Sequence, residues 1–292
     1  MQTRLLLASV TTAVLTACAP AVSPTSEGLR VLAAETFLAD IAQNVAGNRL
    51  AVDSLLTPGV DPHEFQPTPQ DAIRIAQADV LLINGLGYES WLEKSLEASS
   101  GGLRVVEASA GVAAGPGGNP HLWMNPRNVI RYTENTRAAL SEADPDGSSV
   151  YAANTDAYIA ELRELDSWIR AQVERVPPDQ RIMITNHHAL ESFAEAYGFE
   201  IAGVVIPSSS SGAAPSAQQM AELIGIIESR EVQAIFMDVN ENPDLAQQLA
   251  SESRVRVVTG LYVETLSEAG GPAATYIDMM EHDVGLIVDS LQ

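Results

Sequence analysis

The sequence is poor in cysteine, histidine, basic residues and long apolar runs, and each shortage excludes something. Cys18 is the only cysteine in 292 residues, so no disulfide can form within the chain. Lys and Arg total 16 against 38 Asp and Glu, a formal net charge of -22. That balance repels phosphate backbones and argues against a nucleic-acid partner, while it favours the approach of cations. The apolar run Leu5–Leu15 is too short to span a membrane, which takes about 20 residues. No His-Glu-x-x-His occurs, so the commonest helical zinc-hydrolase signature is missing. What remains is ordinary for a folded protein. Hydrophobic residues make up 46% of the chain, enough for a proper core, and the length suits two domains.

The first 28 residues read as an address rather than as fold. Arg4, the Leu5–Leu15 run and the small residues before Cys18 form a secretory signal. Leu15-Thr16-Ala17-Cys18 resembles a lipobox, whose cysteine becomes the lipidated first residue of the mature protein. The expectation is therefore a signal over 1–18 and lipidation at Cys18. A flexible tether rich in Pro, Ser and Thr follows over 19–28, and plain secretion is the alternative.

Beyond the tether, strand-like and helix-like segments alternate. Leu29–Ala33, Ala51–Leu56, Asp79–Asn84 and Leu103–Val106 read as strands. Helices are expected over Phe37–Ala46, Gln70–Ala78 and Tyr88–Ala98, and one opening at Asn119-Pro120-His121 and running to Leu140. From Ser148 to Val176 the apolar residues recur at helical intervals without Gly or Pro, which predicts one helix about 40 Å long. Strands are then expected over Arg181–Thr185, Ile201–Ile206, Ala234–Met237 and Val255–Val258. Helices fall between them, a Ser-rich loop spans 208–212, and a last helix runs over Thr275–Leu291. The pattern predicts an α/β protein of two lobes, 29–147 and 177–292, each a mainly parallel sheet flanked by helices. The helix over 148–176 joins them as a rigid backbone.

Four of the five histidines fall in three loop segments, His63 in GVDPHEF, His121 in NPHLWMNP and the pair His187–His188 in ITNHHAL. Each segment follows or neighbours the end of a predicted strand, where ligands bind in open α/β sheets. Neutral imidazole is the commonest metal ligand, and a closed zinc shell takes four donors. Adjacent residues point differently, so one of the His187–His188 pair is expected to coordinate. Glu264, just past the strand VRVV, is the candidate fourth donor; without that setting it would read as a solvated charge. His282, in the middle of the last helix, reads as structural or exposed. Three imidazoles and a carboxylate suit Zn²⁺ and tolerate Mn²⁺ or Fe²⁺.

These segments together resemble the metal-binding solute receptors of bacterial ABC importers, the zinc/manganese receptor family, across the whole mature chain. GVDPHEFQPTPQD matches the family's first ligand loop and carries His63 over as a ligand. NPHLWMNPRN matches the second and carries His121, with Asn119 where the family usually has Asp. ITNHHALESFAEAYGF matches the third; counting back from Gly198 gives His187, and His188 stands in the place of a common Asp. LYVETLSEAGGPAATYIDMM matches the fourth, with Glu264 in place of the usual Asp. The resemblance implies a non-enzymatic receptor, outside the cytoplasmic membrane as a lipoprotein or periplasmic protein. It would act as a monomer that hands its metal to a permease with an ATPase, with little domain motion. No histidine-rich insert lies between His63 and His121, unlike many zinc receptors, whereas His rather than Glu as third ligand favours zinc over manganese. Zn²⁺ is expected first, Mn²⁺ next and Fe²⁺ as a further alternative. The rival readings are a secreted zinc hydrolase, with Glu64 beside His63 as a possible base, and an adhesin-like lipoprotein without a metal.

Overall fold

The computed structural model describes residues 28–92, 95–96, 102–206 and 215–292. The expected signal, Cys18, nearly all of the tether and the Ser-rich loop lie outside these residues. No helix among the described residues is long and apolar enough to cross a membrane.

Two four-stranded parallel sheets form the frame. The first contains β1 (Val31–Ala33), β2 (Val52–Ser54), β3 (Val80–Ile83) and β4 (Arg104–Glu107) in the order β2-β1-β3-β4. The second contains β5 (Ile182–Thr185), β6 (Glu200–Val204), β7 (Ala234–Asp238) and β8 (Arg256–Leu261) in the order β6-β5-β7-β8. The two halves thus share one strand order, although no repeat is visible in the residues. Helices α1 (Thr36–Ala46), α2 (Pro69–Gln77), α3 (Pro126–Ala143), α4 (Ser148–Val173), α5 (Glu191–Tyr197), α6 (Ala217–Arg230), α7 (Asp244–Ser253) and α8 (Tyr276–Ser290) complete the layers.

The inner strands β1, β3, β5 and β7 are mostly apolar and buried because both faces are covered, whereas the edge strands carry Asp53, Arg104, Glu107, Glu200 and Arg256. In the first sheet Val31, Ala33, Val80 and Leu82 face a large central core, whereas Leu32 and Leu81 face a smaller outer cluster. In the second, Met183, Ala234, Phe236 and Val258 face that same central core, while Ile184, Ile235 and Met237 face another outer cluster. Helix α4 adds Tyr151, Tyr158, Leu162, Leu165, Ile169 and Val173 to the central core and packs against α1, α3 and α8. The long helix is therefore no bare strut. It is buried along one stripe in a core that both sheets share.

Two expectations are corrected. The segment expected to be helical from Tyr88 opens instead as a turn at Tyr88 followed by a 3₁₀ turn over Ser90–Leu92; beyond it Ser95 and Leu96 are helical, and the rest lies outside the described residues. His121 does not open a helix. The chain NPHLWMNP holds two Asn-Pro pairs, and α3 starts at the second, with Asn125 as its cap and Pro126 in its first turn. Leu122, Trp123 and Met124, between the pairs, are buried in the central core, with Trp123 stacked on Phe37 at 4.5 Å. His121 therefore sits on the non-helical stretch ahead of α3.

Candidate metal centre

His63, His121, His187 and Glu264 come together at the carboxyl ends of the two sheets, drawn from loops that follow β2, β4, β5 and β8. One nitrogen or oxygen from each lies within 4.8 Å of all the others. His63 Nε2 is 2.8 Å from Glu264 Oε1 and 3.3 Å from His121 Nε2. His121 Nε2 and His187 Nε2 lie 3.0 and 3.2 Å from the same oxygen. His188 is not among the four. Its side chain turns to Glu191, and His282 is not among them either, being bonded to the carbonyl of Gly260.

Local structure explains how each side chain is held. The His63 loop turns on Asp61, whose Oδ1 accepts from His63 N, and is tied to the Glu264 loop by Gly59 N donating to Thr265 Oγ1 at 3.0 Å. Gly59 has φ +80, a conformation open to glycine. His121 is fixed by Asn119 Oδ1, which accepts from both its backbone N at 2.9 Å and its Nδ1 at 2.7 Å. Asn119 cannot turn over, because its Nδ2 donates to the His188 carbonyl and to Glu191. His187 follows β5 directly, and its Nδ1 is held by Glu241 Oε1 at 2.7 Å. The Glu264 loop hangs on Asp238, whose Oδ2 accepts from Val263 N and Glu264 N. His63 is the exception: no acceptor among the described residues holds its Nδ1, and its side chain is 9% exposed against 1–2% for the other three.

These braces settle where the protons are. Asn119 Oδ1 can only accept, so His121 Nδ1 donates and the neutral ring presents a bare Nε2 lone pair to Glu264. That pair has no proton between its atoms. Burial is the main cause that pushes His121 down to about 4, so it stays neutral at physiological pH. Burial also opposes charge on His187, yet Glu264 and Glu241 on its two sides outweigh this and raise it well above the ordinary imidazole value. Glu264, whose burial alone would raise it, is held well below the carboxylate range by the imidazoles, His187 foremost. The metal-free centre is thus an imidazolium between two carboxylates, beside an unshared lone pair aimed at a carboxylate oxygen. A cation at the middle would relieve that repulsion. A tetrahedral shell with metal–nitrogen bonds of zinc length sets its donors about 3.3 Å apart, close to the separations already present.

Sequence reasoning missed several supporting groups. Glu241, Asp238 and Tyr88 all touch the centre, Tyr88 through its hydroxyl 3.4 Å from Glu264 Oε1. Beneath them lie the buried carboxyls Glu35 and Glu89, each raised chiefly by burial, Glu89 to about 7. In a chain with 38 acids, none carried a mark that set it apart.

Comparison with known proteins gives a consistent picture. A family profile described as ZnuA, "Zinc-uptake complex component A periplasmic", matches residues 31–290. The "Manganese-binding lipoprotein MntA" of Halalkalibacterium halodurans is 35% identical over 274 residues, 92% of this chain and 90% of that protein. The "Iron-binding protein YfeA" of Yersinia pestis is 33% identical over 273 residues, 91% of this chain and 87% of that one. A solved Mn-bound periplasmic metal binding protein from Candidatus Liberibacter asiaticus superposes with a TM-score of 0.81 at 30% identity, covering 90% of this chain and all of that one. With the profile matched across both sheets, the chain belongs to the ZnuA family and is a substrate-binding protein of metal transport.

Proposed function

We propose that the protein captures a divalent transition metal outside the cytoplasmic membrane and delivers it to the permease of an ABC importer. His63 Nε2, His121 Nε2, His187 Nε2 and a carboxylate oxygen of Glu264 are the ligands. The carrying observation is the convergence of those four donor atoms, with His121 and His187 braced at Nδ1 so that Nε2 faces the centre. We read the cargo as Zn²⁺ first and Mn²⁺ next, with Fe²⁺ as the further alternative. Three imidazoles and one carboxylate as the donor set favour zinc, as does the family's description. The manganese and iron named for the two relatives keep those metals in contention. In the same reading residues 29–147 and 177–292 are the two lobes with 148–176 between them, Cys18 carries the lipid anchor, and the protein works as a monomer. Neither rival keeps its support. Glu264 closes the shell that a hydrolase would leave open, and the family is one of uptake components rather than enzymes or adhesins.

The test is metal analysis of the purified protein after reloading, with Zn²⁺ and Mn²⁺ in competition. One equivalent of metal is expected, lost on His187→Ala or Glu264→Ala and retained in His282→Gln. A stoichiometry near zero for every metal in the unmodified protein would sink the reading.

A further inference from the structure

An open cleft of about 550 Å³ leads to the centre from one side, lined among others by His63, Tyr88, Asn119, His121, His188 and Glu191. Of the four converging residues only His63 and His121 line it; His187 and Glu264 lie behind. His188, whose side chain is 41% exposed against 9% for His63, is the more solvent-accessible imidazole of that cleft.

His188 is prepared for more than exposure. Its Nδ1 lies 2.6 Å from Glu191 Oε1, and a carboxylate only accepts, so the ring donates there and leaves its lone pair on Nε2. Glu191 is itself held, since its other oxygen accepts from Asn119 Nδ2 at 2.6 Å. Among the described residues Nε2 has no partner, and the side chain is 41% exposed, so the ring contributes little to packing. The arrangement repeats that of His187 on Glu241 and His121 on Asn119: an imidazole braced by an oxygen at Nδ1, its Nε2 bare. The difference is that this one stands in the cleft with no companion donor.

We infer that His188, braced by Glu191, is an outer staging ligand for the incoming metal. A hydrated divalent transition cation exchanges one water for His188 Nε2, is held weakly beside the Glu191 charge, and passes inward to His63. No bond other than this metal–ligand exchange is made or broken. The inference rests on the proposed role of the four inner ligands and adds a way in.

A single imidazole that lies on the path but not in the final shell changes rates and not the endpoint. Zn²⁺ uptake and release are to be followed by stopped-flow tryptophan fluorescence, to which Trp123 contributes with its ring centroid 5.2 Å from that of His121. His188→Gln is expected to slow association and dissociation together, about fivefold each, with one equivalent bound and Kd unchanged. Because the variant could disturb Asn119, a second measurement uses unmodified protein with Zn²⁺ in the centre. Added Mn²⁺ should broaden the His188 ring resonances at concentrations that leave those of His282 sharp, with zinc content intact. Unchanged uptake rates in His188→Gln, or a weakened Kd at unchanged association, would overturn the inference, as would equal broadening of the two histidines. Tight uptake at unchanged rates overturns this inference alone, whereas no tight uptake by unmodified protein overturns it together with the proposed function.

Discussion

At the scale of single residues, one amide decides the proton arrangement of the centre. Asn119 leaves His121 with a bare Nε2, and losing such a brace costs roughly 10- to 100-fold in metal affinity. Asn119→Leu is expected to weaken Zn²⁺ binding by about that much, measured by competition with a chelating dye; Asn119→Asp, which keeps the acceptor, should bind within a few-fold of the parent. The same geometry fixes the pH response. His187 is raised in the metal-free protein, so near pH 7 it holds a proton that the cation must displace, whereas His121, at about 4, holds none. Affinity is therefore fullest above the raised His187 value and is lost as pH falls through it, with about one proton released per metal and roughly tenfold in Kd per pH unit. Below about 4 the protonation of His121 steepens the loss. Calorimetry at pH 7 in buffers of different ionisation enthalpy counts the proton; a count of zero would contradict the ion-paired His187. The three converging histidines were legible in the sequence because histidine is scarce and falls at strand ends, and Glu264 because it stands just past a strand. Glu241 was not, because an acid three residues past a strand looks the same whether it braces a ligand or faces water.

At the scale of elements, the strands and most helices follow from runs and punctuation. Thr68-Pro69 with Asp71 forms a capping box at α2, Ser216 with Gln219 another at α6, and Gly198 closes α5 in the left-handed region. Gly47, which ends α1 at φ +59, is less forgiving. A Cβ there would sit 2.4 Å from Asn154 Nδ2, the amide that caps the Val45 carbonyl on the neighbouring α4. Gly47→Ala is expected to cost about 1–3 kcal/mol from the backbone conformation and the displaced amide, read as a lowered denaturation midpoint at unchanged m-value. The start of α3 was illegible for a different reason. Two Asn-Pro pairs offer equal local signals, and the choice between them depends on burying Leu122, Trp123 and Met124 against helices distant in sequence. The turn at Tyr88 is held by a local device that no periodicity marks: Glu89 accepts from the backbone N–H groups of Asn84 and Gly85 and closes that bend.

At the scale of the molecule, the central core runs from the first sheet through α1, α4 and α8 to the second. The loop after β8 and the start of α8 add polar stitches: Leu266 N donates to Thr36 Oγ1, Trp123 Nε1 to the Val263 carbonyl and Tyr276 OH to the Trp123 carbonyl. Halves that share so much apolar surface should not melt apart. Thermal unfolding is expected to be one transition, coincident in the far-ultraviolet signal and in tryptophan fluorescence, and to shift upward with metal concentration as a single unit. Two resolved transitions, or a metal shift confined to one of them, would show separable halves. This continuity was not legible in a sequence that reads as two lobes and a spacer, because the alternation of strand residues tells which face is buried but not what covers it.

The uneven bracing of the three imidazoles has a temporal consequence. For a cation held as proposed, His121 and His187 are clamped from behind, while His63 rides on a loop with no acceptor among the described residues at its Nδ1 and its edge in the cleft. The dwell time of the cargo is then set by how often one ligand swings away, and the remaining three set how tightly it is held between swings. Affinity and dwell time become separately adjustable, and whatever draws the His63 loop outward can empty the site without disturbing the shared core.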